Sequence, residues 1–253
     1  MASDLVFLCV PGAFCPAELF EPTVAEFKTQ GYRAEAITLP SVGKRAEGPA
    51  TLQDDAAFIR GKTLDFFGEG LDVVLVGNSY GAWAMTEAVG GLGKAERGNE
   101  KGCVRHMVYL ASPFAKKTGQ SLFDFLADEV HLPTNTDTTG FSDPPPAEFA
   151  GATLVPSLSK EEQGSYGAML KPFSNKAHHE SRLSYLGFEH IPSTAVITAK
   201  DLVVPLKWQR DVFDAAVARG KGMLRKVEFE GDHCCMTSHP VETARICIEA
   251  ALL

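Results

Sequence analysis

A chain of 253 residues, 45% of them hydrophobic, is long enough to close one large core, although length alone also admits two domains. A formal charge of −8, with no block of like charge, argues against nucleic acid and against anionic membrane surfaces as partners. No apolar run reaches spanning length, the amino terminus enters a strand pattern without a basic leader, and the six cysteines form no Cys-x-x-Cys, so the expectation is no membrane span, no signal peptide, reduced thiols and a cytoplasmic location.

Leu5 to Val10 is continuously apolar, which predicts a strand inside a sheet. Pro11-Gly12-Ala13-Phe14 breaks it, and a helix is expected from about Ala17 to Gln30, with Gly31 as its carboxyl cap. Arg33 to Leu39 reads as the second strand, closed by Pro40. Thr51-Leu52-Gln53-Asp54 resembles a capping box, with Asp in place of Glu or Gln, and Leu52, Ala56, Ile59 and Phe66 mark the buried face of the helix it opens.

Val73 to Val76 predicts a third strand, buried on both faces, and Gly77-Asn78-Ser79-Tyr80-Gly81 follows at once. Gly81, Met85, Ala88, Val89 and Leu92 then recur at helical spacing. Strand, sharp turn and helix in that order are the setting of a nucleophile elbow, which makes Ser79 the candidate nucleophile. Gly77 and Gly81 fit because the chain on either side of the turn must pass too close for side chains.

Val104 to Ala111 reads as the fourth strand, after a polar surface insertion at Lys94 to Gly102. The fifth, Ser193 to Ala199, comes only after a long irregular interval, too long for one crossover helix. Residues 113–192 are therefore expected to form a helical cap, or lid, over the carboxyl edge of the sheet. It holds a helix at Ser121 to Val130, a turn-rich loop at Pro133 to Pro146, and helical patterns near Ser159 to Leu170 and Asn175 to Leu186. A helix from Pro205 to Arg219, the sixth strand Leu224 to Glu230 and a last helix from Pro240 to Leu253 complete the chain. Alternating strands and helices imply an α/β protein, a single domain over 1–253 with a mainly parallel, doubly wound sheet of about six strands.

A serine hydroxyl needs a base to take its proton, and a buried acid to orient that base. In a doubly wound sheet both must come from loops at the carboxyl ends of strands. Among seven histidines only His233 sits just past a strand, the sixth. His131, His178 and His179 fall in the cap, His106 inside a strand, His190 before the fifth strand and His239 before the last helix. Asp201 follows the fifth strand. The rival acid is Asp232, but it adjoins His233, and neighbours on a loop usually point apart, so it reads as a turn residue. The order Ser79, Asp201, His233 is the serine–acid–histidine order of the α/β-hydrolases. Oxyanion donors are expected from the backbone N–H groups of Tyr80 and Ala13.

With these residues in place, the chain resembles, nearly end to end, the cofactor-free α/β-hydrolases that include plant methylesterases and hydroxynitrile lyases. Val10-Pro11-Gly12-Ala13-Phe14 resembles that group's His-Gly-Ala segment, with Pro11 where histidine is usual. Thr38-Leu39-Pro40-Ser41-Val42-Gly43 resembles its loop after the second strand. Gly231-Asp232-His233-Cys234-Cys235-Met236 with His239-Pro240 resembles the methylesterase ending. The lyases of this group carry lysine after the histidine. Cys234 in that place counts against cyanohydrin cleavage and toward ester or lactone hydrolysis. Asn78 replaces the common histidine before the nucleophile, and the cap matches only loosely.

The resemblance implies an α/β-hydrolase fold, with the cap inserted before the penultimate strand and with neither cofactor nor metal. The expected activity is hydrolysis of a small-to-medium, largely apolar ester or lactone through an acyl-enzyme on Ser79. A lyase or cyclase using His233 as acid–base, and a ligand receptor with slow turnover, are the alternatives. The expected partner is the small-molecule substrate, with no nucleic acid and no membrane, and a homodimer is left open. Phe14, Phe114, Phe123 and Cys234 are the expected pocket residues.

Overall fold

The computed structural model describes residues 4–126, 139–219 and 223–253. Its strands are β1 (Leu5–Val10), β2 (Arg33–Ala36), β3 (Asp72–Asn78), β4 (Val104–Leu110), β5 (Phe141–Ser142), β6 (Phe173–Ser174), β7 (Ser193–Thr198) and β8 (Leu224–Phe229). Its α-helices are α1 (Glu21–Thr29), α2 (Leu52–Gly68), α3 (Tyr80–Ala88), α4 (Lys94–Arg97), α5 (Leu122–Leu126), α6 (Ala147–Leu154), α7 (Lys160–Met169), α8 (Leu206–Val217), α9 (Cys235–Ser238) and α10 (Pro240–Ala251). Among the described residues no helix is long and apolar enough to cross a membrane.

Six strands form one parallel sheet in the order β2-β1-β3-β4-β7-β8, and β5 and β6 make a short antiparallel pair outside it. Strand alternation divides the interior into two cores. Val6, Leu8 and Val10 of β1 join Val73 and Leu75 of β3 against α2, α3 and α8. Leu5, Phe7 and Cys9 join Val74 and Val76 on the opposite face against α1 and α10. This is why β1 and the first half of β3 read as unbroken apolar runs: both faces of the sheet are covered. All six cysteines are buried free thiols. The α2 start closes as a reciprocal capping box between Thr51 and Asp54.

Three stretches differ from the sequence expectation. The second strand stops at Ala36, with Ile37 making one more backbone bond to Cys9 before Pro40. The pattern over 175–186 yields only a π turn at Lys176–Glu180. Its continuation is drawn into bonds elsewhere: Leu183 N–H donates to Gln120 O at 3.0 Å, and Leu183 O accepts from Gly119 N–H at 2.7 Å. Glu87 also accepts from Ser184 N–H at 2.6 Å, so tertiary partners outcompete helix propensity. The helix α6, which the sequence pattern did not single out, starts directly after Pro144-Pro145-Pro146. His131, the tail of the helix expected to reach Val130 and part of the 133–146 loop lie outside the described residues.

Two glycines give opposite expectations for alanine. A Cβ at Gly81 would fall 2.2 Å from Val10 O and 2.3 Å from Pro11 O, backbone atoms held in the sheet and its first turn. Gly164 lies inside α7 with nothing within 4 Å. Gly81→Ala should lower unfolding free energy by about 3 kcal/mol, whereas Gly164→Ala should raise it by roughly 0.5–1 kcal/mol. Urea denaturation checks both, and equal effects would contradict the packing at the elbow.

Candidate active site

Ser79 lies between β3 and α3 with φ 50° and ψ −120°, a conformation that L side chains rarely adopt. Its N–H donates to Leu110 O at 3.0 Å, and its carbonyl accepts from Ala82 N–H at 3.1 Å. A Cβ at Gly77 would come within 2.6 Å of Ala82 Cα, so Gly77 and Gly81 both serve the tight passage expected of them. A Cβ at Gly12 would lie 3.2 Å from Ser79 Cβ, which places the loop after β1 directly against the serine. Tyr80 opens α3, so its N–H has no intrahelical partner. No backbone carbonyl among the described residues accepts from the Ala13 or Tyr80 amide.

Asp201 sits in the loop after β7. Its Oδ1 accepts from the N–H groups of Val203 and Val204, each at 2.8 Å. Its Oδ2 accepts from His233 Nδ1 at 2.8 Å and from Thr198 Oγ1 at 3.2 Å. Gln209, on the buried face of α8, braces this loop by donating to Thr198 O at 3.1 Å and Val204 O at 2.9 Å. His233 follows β8 and is buried. Burial pushes its imidazole pKa down, but the charge of Asp201 and the bond to it outweigh burial and hold it above the ordinary histidine value. With Nδ1 committed to Asp201, Nε2 is the nitrogen left to accept a proton.

Ser79 and His233 open into one cavity of about 400 Å³. Ala13, Phe14, Cys15 and Asn78 line it from the sheet side, and Ala150, Thr153 and Leu154 of α6 line it from the excursion. Phe149 and Leu202, each 64% exposed, stand at its rim. Polar groups on the lining are few. The Thr153 hydroxyl is turned back onto Phe149 O at 2.8 Å, and burial pushes the Cys234 thiol well above its usual pKa, which keeps it neutral. Among the described residues no group of three or more His, Cys, Asp or Glu side chains is gathered to hold a metal.

Of the four expected pocket residues, Phe14 and Cys234 line the cavity. Phe114 does not: it packs on Tyr109 and Phe188, with ring centroids 4.7 and 5.4 Å away, inside the core under α8. Phe123 does not either, because its ring lies 4.2 Å from that of His179. Both lie between β4 and α6, and it is α6 that supplies residues to the cavity wall.

Four residues hold the site's architecture in roles that the sequence did not indicate. Asn78, noted only as a departure, donates from Nδ2 to His233 O at 2.9 Å and to Leu110 O at 3.3 Å, tying the elbow to the histidine loop. Gln209 braces the Asp201 loop. Asp55 is fully buried on α2, accepts from Tyr80 Oη at 2.6 Å and from Ser41 N–H at 2.9 Å, and is pushed by burial up to about 6. Each is a polar residue set in an apolar helical or strand stripe, which is the sequence signal that could have marked it. The fourth is Asp232, read as a turn residue. It is fully buried, and its two oxygens accept from Ser157 N–H at 3.0 Å and Ser157 Oγ at 2.7 Å. Ser157, on the surface turn after α6, left no such signal. His106 is a buried sheet residue bonded to Thr194 Oγ1 at 2.9 Å.

The sequence profile of the alpha/beta hydrolase family matches residues 7–246. A probable hydrolase, R7, of Phoma sp. is 30% identical over 251 residues, covering 96% of this chain and 97% of R7. Among solved structures, polyneuridine aldehyde esterase superposes with a TM-score of 0.73 at 17% identity, covering 96% of this chain and 98% of the esterase. The methylesterase MES16 from Arabidopsis superposes with a TM-score of 0.73 at 18% identity, covering 98% and 99%. The two structural likenesses speak to fold. The profile match and the R7 relationship, taken with the elbow and the parallel sheet, show that the chain belongs to the alpha/beta hydrolase family.

Proposed function

We propose that this protein is a serine hydrolase that cleaves a small-to-medium, largely apolar carboxylic ester or lactone through an acyl-enzyme on Ser79. The observation that carries the reading is the His233–Asp201 bond of 2.8 Å behind a cavity that Ser79 shares with His233. Its supports outside the geometry are the hydrolase relative R7 and the esterases among the structural neighbours.

In this reading Ser79 Oγ attacks the carbonyl carbon and its proton passes to His233 Nε2. The developing oxyanion takes the N–H groups of Ala13 and Tyr80. The proton on His233 is delivered to the leaving alkoxide as the C–O bond breaks. Water then attacks the acyl-enzyme, gives its proton to His233, and the carboxylic acid departs as Ser79 is reprotonated. Asp201 holds the tautomer and stabilises the imidazolium without itself taking the proton. The cavity offers an apolar acyl or alcohol group contact area and no Asp, Glu, Lys or Arg partner on its lining, so discrimination rests on shape.

Ser79→Ala should lower kcat for the best p-nitrophenyl ester or lactone in a screen on the order of 10⁶-fold, with an unchanged melting temperature. Covalent labelling by a serine-directed phosphonate should fall with activity, mole for mole. Retained turnover, or labelling without inactivation, would move the chemistry to the lyase alternative.

The acid can be tested by its sign on pH dependence. A base acts only when neutral, so a raised His233 pKa places the acid limb of kcat/KM above about 6.5. In Asp201→Asn the amide oxygen stays with the Val203 and Val204 N–H groups, which turns the NH₂ toward His233 Nδ1 and drives the proton to Nε2. That variant should lose about 10⁴ in kcat. With burial then unopposed, its residual activity should show an acid limb at lower pH than the wild type. A limb that does not move would refute Asp201 as the partner.

The wall contributed by α6 should set substrate preference. Thr153→Phe narrows the cavity beside Thr153 while leaving Ser79, Asp201 and His233 untouched. It should change the ratio of kcat/KM between long and short acyl esters by about tenfold or more. An unchanged ranking across a chain-length series would show that α6 only packs.

A further inference from the structure

We infer that Asp232 and Ser157 form a latch that positions His233, so that the base and the α6 wall of the cavity are set as one unit; the inference rests on the proposed role of His233. Ser157 lies in the turn between α6 and α7, and Asp232 immediately precedes the base. Both oxygens of Asp232 are spent on that one serine, at 3.0 Å to its N–H and 2.7 Å to its hydroxyl. A third bond runs alongside, from Cys234 N–H to Leu154 O at 3.0 Å. The residues on either side of His233 are thus both fastened to the end of α6.

The other partner is stiff. A Cβ at Gly151 of α6 would lie 1.9 Å from Gln163 O of α7, and one at Gly167 of α7 would lie 2.0 Å from Ala147 O of α6, so the two helices touch backbone to backbone. Gln163 Nε2 also donates to Pro156 O at 3.2 Å and Leu158 O at 2.8 Å, gripping the turn on both sides of Ser157. The inner face of this hairpin carries Ala150, Thr153 and Leu154 into the cavity. None of the ion pairs found among the described residues involves Asp232. A fully buried acid whose two acceptors go to a single exposed residue is a costly way to close a turn, and a direct way to fix a loop against a wall.

From the opposite side, Asn78 Nδ2 holds the His233 carbonyl at 2.9 Å. The histidine backbone therefore rests between two anchors, the elbow and the hairpin, while its ring rests on Asp201. Removing the hairpin anchor should leave binding largely intact and slow the chemistry, because the proton path from Ser79 to Nε2 depends on where the loop sits.

The test uses Ser157→Ala, a change at an exposed residue, with Ser157→Thr as the conservative rescue and Asp232→Ala as the stronger lesion. In Ser157→Ala we expect kcat on a short p-nitrophenyl ester to fall about tenfold with KM within about twofold, as for one positioning hydrogen bond lost. Ser157→Thr should restore most of the loss. Wild-type kcat in Ser157→Ala, or a loss that appears only in KM, would overturn the latch. A second readout needs no turnover: the low-field proton resonance of the His233 Nδ1–H shared with Asp201. It should broaden through faster exchange in Ser157→Ala and recover in Ser157→Thr, and an unchanged resonance would overturn the proposal. If the wild type hydrolyses no ester the proposed function fails, while this resonance still decides the latch. If Asp232→Ala does not fold, Ser157→Ala decides alone.

Discussion

The constraint on which the rest depends is the backbone of Ser79. At φ 50° and ψ −120° it stores strain of the order of 1–3 kcal/mol, and it persists only because its surroundings leave it no alternative. The restraint comes from every side. Leu110 O on β4 takes its N–H, Ala82 N–H takes its carbonyl, and the Ser112 hydroxyl reaches the same carbonyl at 3.4 Å. The loop after β1 closes over it through Gly12, and the start of α3 is pressed against Val10 and Pro11 through Gly81. The central position of β3, between β1 and β4, is what makes this possible: an edge strand would have a neighbour on one side only. The parallel sheet then brings the loops after β7 and β8 to the same edge, so one topological fact sets both the position of Ser79 and the origin of the Asp201 and His233 loops.

The elements that were legible in the sequence are those where one physical requirement dominates. β1 and β3 are covered on both faces, so only apolar residues serve. Gly77 and Gly81 are forced by close approach, and Ser79, Asp201 and His233 each follow a strand in the order the fold demands. The illegible parts are decided by partners distant in sequence. The pattern at 175–186 has helical spacing, yet Gly119, Gln120 and Glu87 claim its backbone. Phe114 and Phe123 are as apolar as any pocket residue, and only tertiary packing tells that one faces Tyr109 and the other His179. The cavity wall comes instead from α6, whose spacing of Ala147, Ala150 and Leu154 is too sparse to announce which face it presents.

The same distinction separates the acids around the site. Three aspartates lie buried within reach of the elbow and its loops, and identical side chains acquire different roles from the donors that meet them. Asp201 takes two backbone N–H groups on one oxygen and the imidazole on the other, an environment that fixes its orientation and leaves one face for His233. Asp55 takes a phenol and one backbone N–H under α2, too few donors to offset burial, and its carboxyl is pushed up to about 6. It holds Tyr80 by its side-chain hydroxyl.

Asp232 is the case where adjacency in sequence misleads. It is the nearest acid to His233 along the chain, but its carboxylate meets Ser157 rather than the imidazole. Asp201, remote in sequence, reaches the ring because β7 and β8 are neighbours in register, with Thr198 paired to Phe229. Strand adjacency thus supplies the acid that acts on the ring, and sequence adjacency supplies the acid that acts on the loop. His233 thus has one carboxylate on its ring and another on the residue before it, so a shift of the loop at Asp232 would carry the imidazole relative to Asp201.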